Sequence, residues 1–182
     1  MMKNNIALIG FMGTGKSAVG HILAKKLGWE FVETDVLIEK IAGKKIPDIF
    51  RDAGEIRFRE IEIEAVKQAA AGKKQVVACG GGVVLNSINI MRLKEDAVIV
   101  LLTATPEDIL KRITADATVR PLLKGTGDTG ARIRELLDMR RCFYRQAADI
   151  TVHTSRRNLE QTAQAVIKKL SGYEGFDIPQ QD

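Results

Sequence analysis

The sequence is poor in cysteine, histidine and aromatic residues, and each shortage excludes a class of protein. Of the 182 residues, two are cysteine and two are histidine, too few for a framework of disulfides, and none forms a metal-ligand pattern. Aromatic residues make up 5% of the chain, poor material for stacking nucleic-acid bases. The longest strictly apolar run covers residues 97–102, whereas a membrane-spanning helix needs about 20 residues.

The composition that remains is typical of an ordinary globular domain with a modest positive charge. The chain is 45% hydrophobic and 28% charged, with a net charge of +5, and its length is typical of one domain. Basic residues are spread along the chain, which suits a small anionic substrate as well as nucleic acid. The first apolar run leads into a glycine-rich loop instead of a cleavage site. We therefore expect a cytoplasmic monomer that is not exported and binds neither nucleic acid nor membrane.

Apolar runs typical of strands alternate with segments of helical periodicity along the chain. This alternation predicts a parallel sheet with helices on both faces, in a single α/β domain over residues 1–172. An irregular segment at 116–130 is typical of a functional or mobile loop, and residues 173–182 are predicted to fray. The predicted strands are 3–10, 30–34, 75–79, 97–102 and 149–153. The predicted helices are 16–27, 35–42, a short piece from Pro47, a long one through Phe58 to Gly72, 86–93, 106–113, 131–147 and 159–170.

Residues 10–17, GFMGTGKS, match the phosphate-binding loop pattern at every specified position, between a predicted strand and a predicted helix. Glycines let several backbone N–H groups point at one phosphate, and the helix N-terminus adds its positive dipole end. Lys16 is expected to reach the β and γ phosphates, and the Ser17 hydroxyl to ligate Mg²⁺. The pattern predicts binding of a nucleoside triphosphate. The nucleotide-binding residues predicted here are Gly13, Thr14, Gly15, Lys16, Ser17 and Ala18.

Carboxylates and glycines occur where the second and third predicted strands end, and ligands of open α/β sheets bind beyond such ends. Asp35, in the segment Glu33-Thr34-Asp35, can orient magnesium waters or a substrate hydroxyl, or cap the next helix, and both roles can hold together. The run Gly80-Gly81-Gly82 lets the main chain approach a ligand closely, or forms a flexible turn.

Three arginines are candidates for binding an anion. Arg59, Arg120 and Arg140 each read alone as surface residues. As a set, beside a loop that already implies an anionic ligand, the three arginines are more informative than any one of them alone. The phosphate-binding loop itself leaves the phosphate acceptor open.

Taken in order, these residues resemble the shikimate kinase family over about residues 6–170. The combination of Phe58-Arg59, the triple glycine and VRPLL at 119–123 is specific, whereas the phosphate-binding loop is shared by many families. The resemblance implies a three-layer α/β/α P-loop fold with a five-stranded parallel sheet and a mobile lid at about 116–130. The matching segments are 10–17, Thr34-Asp35, 48–50, Gly54-Glu55, Phe58-Arg59, 80–82, 119–123 and Arg140 with Tyr144.

The same resemblance implies an activity: transfer of phosphate from ATP to the 3-hydroxyl of shikimate, on the pathway to chorismate and the aromatic amino acids. It implies that Asp35 binds ring hydroxyls and deprotonates or orients the attacking one. Arg59 and Arg140 would pair with the shikimate carboxylate beside Gly80, Gly81 and Gly82. Arg120 would come from the lid onto the ATP phosphates. Arg112 and Arg157 would flank the adenine.

The chain departs from the family pattern at Glu33, where an aspartate is usual, and at Cys142, where a proline is common. The longer Glu33 is expected to reach the magnesium ion through water, with altered geometry. Three alternatives stay open. They are another small-metabolite kinase of the same fold, such as a gluconate kinase; a nucleotide-binding regulator without catalysis; and a nucleic-acid-binding module.

Overall fold

The computed structural model describes residues 2–116, 123 and 127–178. Its centre is a sheet of five strands in the order β2-β3-β1-β4-β5, with every neighbouring pair parallel. The short apolar runs form these strands because a strand covered on both faces must be apolar throughout. The predicted parallel sheet is confirmed. The strands are β1 (Asn5–Ile9), β2 (Glu30–Glu33), β3 (Gln75–Ala78), β4 (Ala97–Thr103) and β5 (Ile150–His153).

Helices cover both faces of the sheet, as the strand residues require. In β1, Ile6 and Leu8 pack with the first and last helices, while Ala7 and Ile9 face the opposite side. The three-layer α/β/α fold is therefore confirmed. The helices are α1 (Lys16–Leu27), α2 (Thr34–Ala42), α3 (Ile46–Ala70), α4 (Ser87–Asp96), α5 (Pro106–Thr114), α6 (Thr129–Ala147) and α7 (Leu159–Leu170), with a 3₁₀ turn at Val83–Leu85.

Helix α3 corrects the prediction of two separate helices on either side of Gly54. The chain is helical from Ile46 to Ala70, with a kink at Gly54, whose φ of 75° and ψ of −179° are not helical. Only glycine adopts this backbone conformation without strain. The first part of α3 and helix α2 share a small core around Ile38 and Phe58, which keeps both parts of the kinked helix packed.

The C-terminal segment also corrects a prediction, because it does not fray immediately after Gly172. Phe176 is 4% exposed and packs edge-on against Trp29, with ring centroids 5.8 Å apart. The Lys3 N–H donates to the Gly175 carbonyl at 2.8 Å. A buried aromatic ring and a backbone hydrogen bond thus attach this segment to the start of the chain.

The predicted lid lies mostly outside the described residues. Helix α5 ends at Thr114 and α6 begins at Thr129, and between them only residues 115, 116, 123, 127 and 128 are described. The lid and its mobility therefore stay a prediction. Across the described ranges, no helix combines the length and the apolar character needed to cross a membrane.

Candidate active site

The phosphate-binding loop connects β1 to α1, and its predicted residues lie together. Lys16 begins α1, and its Nζ donates to the carbonyls of Gly10 and Phe11 at 2.9 and 3.0 Å. Thr14 Oγ1 donates to the Phe11 carbonyl at 2.8 Å, which closes the loop. A cavity of about 380 Å³ opens above the loop at the helix N-terminus, lined among others by Gly13, Gly15, Lys16, Ser17 and Ala18. This arrangement suits a phosphate group.

Two oxygen ligands suited to magnesium meet at the edge of this phosphate cavity. The Ser17 hydroxyl donates a short hydrogen bond to Glu33 Oε1, so the longer side chain at position 33 reaches the serine directly. Within the described ranges no cluster of three histidine, cysteine or acidic residues could enclose a metal ion. Ser17 and Glu33 fit a magnesium ion that takes its other ligands from phosphate and water, the usual arrangement for this ion.

The two arginines predicted beside the adenine line one cavity of about 280 Å³. Arg112 holds it together, because its guanidinium donates to the Gly13 carbonyl at 3.1 Å and to Thr154 Oγ1 at 2.9 Å. Arg157 also lines the cavity and donates to the His153 carbonyl at 2.5 Å. The partly buried hydrogen bonds of Arg112 therefore join the phosphate-binding loop to the segment after β5.

A larger cavity of about 530 Å³ lies between α2, α3 and the glycines that follow β3. Arg59, Arg140 and Asp35, three residues predicted to bind the acceptor, all line this cavity. We call it the acceptor cavity, and the smaller cavity above the phosphate-binding loop the phosphate cavity. The two cavities adjoin, because five residues line both: Met12, Glu33, Asp35, Gly80 and Gly81.

The glycines after β3 leave room for the charged side chains of the acceptor cavity. A Cβ atom on Gly82 would lie 2.3 Å from Nη1 of Arg59, and one on Gly80 would lie 2.8 Å from Oδ1 of Asp35. Such distances are far below van der Waals contact, so side chains at these positions would displace the charged groups. Glycine is therefore needed at positions 80 and 82 because charged side chains approach the backbone closely there.

Glu62 is a site residue that the sequence analysis missed. Its side chain is 1% exposed, and both carboxylate oxygens accept from Nη1 of Arg59, at 3.0 and 3.1 Å. Burial raises the pKa of Glu62 although the Arg59 guanidinium opposes the shift. Burial alone would lower the pKa of Arg59, but Glu62 and Glu55 outweigh it and raise that pKa. The sequence held one indication of this ion pair, since Glu62 follows Arg59 by three residues on one predicted helix, a spacing that places the two side chains side by side.

Tyr144, one helical turn after Arg140, was matched to the family pattern in the sequence but given no role in the site. Its hydroxyl donates to the Gly81 carbonyl at 2.5 Å, and Arg140 Nη1 donates to the same carbonyl at 3.4 Å. Burial raises the pKa of Tyr144 to about 12, so the hydroxyl keeps its proton. Arg140 is 5% exposed and lies 5.9 Å from the centroid of the Phe11 ring. Two side chains of helix α6 thus hold the glycine loop after β3 in place through hydrogen bonds to the Gly81 carbonyl.

Arg120, the predicted lid arginine, lies outside the described residues. The other predicted site residues fall into two groups on adjoining cavities. The nucleotide side holds Gly13 to Ala18, Arg112 and Arg157, and the acceptor side holds Asp35, Arg59, Gly80, Gly81, Gly82 and Arg140.

Comparison with known proteins agrees with this geometry. The sequence model of the shikimate kinase family matches residues 12–171. A shikimate kinase of Caldanaerobacter subterraneus subsp. tengcongensis is 47% identical over 171 residues, covering 92% of this chain and 98% of that protein. One from Thermodesulfovibrio yellowstonii is 47% identical over 165 residues, covering 91% and 94%.

A solved structure gives the same answer. The shikimate kinase of Acinetobacter baumannii in complex with shikimate superimposes with a TM-score of 0.89 at 34% identity. The match covers 94% of this chain and 95% of that one. The chain therefore belongs to the shikimate kinase family.

Proposed function

We propose that this chain transfers the γ-phosphoryl group of ATP to the 3-hydroxyl of shikimate, giving shikimate 3-phosphate and ADP. It would act as a cytoplasmic monomer on the pathway to chorismate. The observation that carries the proposal is the position of Asp35, which lines both the phosphate cavity and the acceptor cavity. A hydroxyl bound at Asp35 faces the end of a triphosphate held by Lys16.

The acceptor cavity suits a small carboxylate that also carries hydroxyl groups. Arg59 and Arg140 offer planar guanidinium groups, which bind a carboxylate through paired hydrogen bonds. Because Gly82 has no side chain, the guanidinium group of Arg59 can lie against the backbone there. Shikimate has one carboxylate and three ring hydroxyls, so both kinds of group find a counterpart.

Phosphoryl transfer needs positioning and positive charge more than covalent help, because its transition state is loose. Lys16 supplies a charge at the β and γ phosphates, and its present bonds to Gly10 and Phe11 carbonyls place its Nζ beside the loop. Asp35 orients the attacking hydroxyl and accepts its proton on a carboxylate oxygen as the bond to phosphorus forms.

Magnesium, when bound, neutralises charge on the β and γ phosphates. Ser17 would ligate it and Glu33 would hold it through water, and the two side chains are already hydrogen-bonded to each other. Glu33 accepts from the Ser17 hydroxyl and so orients it toward the phosphate cavity.

Arg120 would complete the positive charge from the lid. In this role it acts on the transition state and not on the acceptor, and such arginines contribute on the order of 10³–10⁵ in rate. We expect Arg120→Ala to lose most of its turnover while shikimate still binds, measured by steady-state kinetics and calorimetry. Unchanged turnover would remove Arg120 from the mechanism.

A coupled assay of ADP release with MgATP tests the function, with shikimate, quinate and gluconate as separate acceptors. We expect strong release with shikimate only, and a loss of about 10²-fold or more in Asp35→Asn. Asp138→Asn, at an exposed position on α6 that lines neither the acceptor cavity nor the phosphate cavity, is the matched control. Release with gluconate instead would indicate a gluconate kinase. ATP binding without release would indicate a regulator.

A further inference from the structure

The glycine loop, residues 80–82, borders the acceptor cavity along its whole length. It has no side chains, so it offers a ligand only its backbone N–H and C=O groups. Glycine also loses more conformational freedom on folding than any other residue. The position of the glycine loop must therefore be set by bonds that it receives from other elements.

One such bond comes from Thr34, the first residue of α2. Thr34 is buried, and its hydroxyl accepts from the Gly80 N–H at 2.9 Å. The Gly80 carbonyl is engaged as well, because it accepts from the Val83 N–H at 3.1 Å. Both backbone groups of Gly80 are thus bonded inside the protein, which fixes the beginning of the loop.

A second bond comes from Tyr144 in α6. The Tyr144 hydroxyl donates to the Gly81 carbonyl at 2.5 Å, within the range of a normal O–H···O hydrogen bond. Arg140 Nη1 reaches the same carbonyl only at 3.4 Å, which is longer than usual for N–H···O. Tyr144 therefore satisfies this carbonyl, and the guanidinium group of Arg140 is left for a ligand in the acceptor cavity.

These two bonds also decide where the remaining polar groups of the loop point. The C=O and N–H of a planar trans peptide point in opposite directions, so a Gly81 carbonyl held toward α6 turns the Gly82 N–H away from α6. Within the part of the chain that the structure describes, no group accepts from the Gly81 N–H or the Gly82 N–H. Both donors belong to residues that line the acceptor cavity, where an oxygen atom of the acceptor can receive them.

We propose that Tyr144 is a positioning residue for the acceptor and that Thr34 assists it. The Tyr144 hydroxyl holds the Gly81 carbonyl, which keeps the loop N–H groups in place and leaves Arg140 to pair with the acceptor carboxylate. Neither Tyr144 nor Thr34 lines the acceptor cavity, so both act through the glycine loop. The identity of the acceptor rests on the proposed function, whereas the hold on the loop exists in the free protein.

Tyr144→Phe removes the hydroxyl and keeps the ring. Arg140 is then the remaining donor to the Gly81 carbonyl, and a buried acceptor is costly to leave unsatisfied, so the guanidinium group is drawn away from the acceptor. We expect Kd for shikimate, measured by calorimetry, to rise about fivefold or more. Turnover should change by less than about twofold and KM for ATP should stay parental, a separation that a general loss of structure would not produce.

Tyr173→Phe is the matched control, because Tyr173 is the other tyrosine of the chain and packs partly against the core under α1 and α7. It should bind shikimate as the parent does. Thr34 offers a second pair of variants. Thr34→Val replaces the hydroxyl with a methyl group and should weaken shikimate binding, whereas Thr34→Ser keeps the hydroxyl and should restore it.

Backbone relaxation of the ¹⁵N-labelled full chain, recorded without acceptor, tests the hold on the loop independently of the reaction. The Gly81 and Gly82 amides should become more mobile in Tyr144→Phe than in the parent or in Tyr173→Phe. If the parent does not phosphorylate shikimate, the proposed function is wrong, and these amides still report whether Tyr144 holds the loop. The positioning role is overturned if Tyr144→Phe binds shikimate like Tyr173→Phe, if Thr34→Ser binds as weakly as Thr34→Val, or if both amides stay as rigid as in the parent.

Discussion

Arg59 is held between two carboxylates and a glycine, and these contacts fix the position of its charge beside the acceptor cavity. Glu62 accepts from Nη1 and Glu55 from Nη2, at 3.0 and 2.8 Å. Gly82 leaves the space that the guanidinium occupies. An arginine restrained in this way loses little conformational freedom when it binds an anion, which favours tight binding of the acceptor.

Gly82→Ala should therefore impair acceptor binding and also lower stability. The new Cβ would lie 2.3 Å from Nη1 of Arg59, so the guanidinium must move away and the buried Glu62 loses its ionic partner. We expect KM for shikimate to rise about tenfold or more and the free energy of unfolding to fall by about 1–3 kcal/mol. Gly172→Ala, where a Cβ meets only one atom at 4.0 Å, is the control. Parental KM in Gly82→Ala would contradict this role.

Glu62→Gln tests the buried carboxylate through pH. Burial raises the pKa of Glu62 above its ordinary 4.5 in the folded chain, so folding disfavours its charged form. The stability that the protonated acid contributes is complete below the unfolded pKa and is lost as pH rises through the folded pKa. The glutamine variant has no proton to lose there, so its stability does not fall for this reason as the pH rises. We expect the difference in unfolding free energy to shift in favour of glutamine across that window, then level off.

Denaturant titrations of both proteins at a series of pH values measure this difference. A constant difference across the window would contradict the raised pKa. The kinetics should move in the opposite direction from stability, because Arg59 loses an ionic partner and KM for shikimate rises.

At the residue scale, residues that belong to sequence motifs could be predicted, whereas residues that support them through contacts could not. Lys16, Ser17, Asp35 and Arg59 stand in recognisable patterns, and the structure brings them to adjoining cavities. Glu62 has no motif of its own. Its role follows from burial and from the direction of one helix face, which depend on the packing of α3 against the rest of the chain.

At the scale of elements, the kink in α3 is the feature that shapes the acceptor cavity. Ile46 and Pro47 before Gly54 and Phe58 after it all line that cavity. The change of direction at Gly54 therefore sets how the two parts of the helix face each other. A straight helix would place the residues on either side of the glycine in a different relation.

Gly54→Ala should destabilise the fold. An alanine has space there, since no heavy atom lies within 4 Å of a Cβ at this position, but it cannot adopt φ 75° without strain. We expect a loss of about 1–3 kcal/mol in the free energy of unfolding, measured in denaturant. Ile56→Ala, two residues on and 81% exposed, should be close to neutral. Equal stability of the two variants would show that the kink relaxes without cost.

The strands and most helices follow from apolar periodicity, because a sheet covered on both faces and an amphipathic helix each require a particular spacing. The two helical pieces around Gly54 were predicted, but not that the helix continues through the glycine. The reason is physical: a glycine ends many helices, and only packing of the residues on both sides, such as Ile49 and Phe58 in one small core, keeps this one together.

At the scale of the whole molecule, the C-terminal segment closes the domain against its beginning. Lys3 donates its N–H to Gly175, and its Nζ pairs with Asp149 at 3.2 Å. Phe176 inserts beside Trp29 in the core under α1 and α7. Phe176 of this segment is buried, and Tyr173 and Ile178 pack partly against the same core. The sequence did not reveal this, because three apolar residues among polar ones and a glycine show neither helical nor strand periodicity.

Phe176→Ala should destabilise the protein by about 3 kcal/mol, since a buried aromatic side chain is lost. Thermal unfolding followed by the fluorescence of Trp29, the sole tryptophan, measures the effect and reports on the same contact. Glu174→Ala, exposed on the same segment, is the control and should unfold like the parent. Matching unfolding of both variants would mean that the segment contributes nothing to the fold.

The central claim is phosphoryl transfer from ATP to the 3-hydroxyl of shikimate, and phosphorus NMR of the reaction tests it most directly. With MgATP and shikimate, we predict one new phosphomonoester signal, coupled to the ring proton at carbon 3, that grows in step with ADP. Asp35→Asn should slow both signals together. Accumulation of ADP with inorganic phosphate alone, or a phosphomonoester at another hydroxyl, would contradict the account.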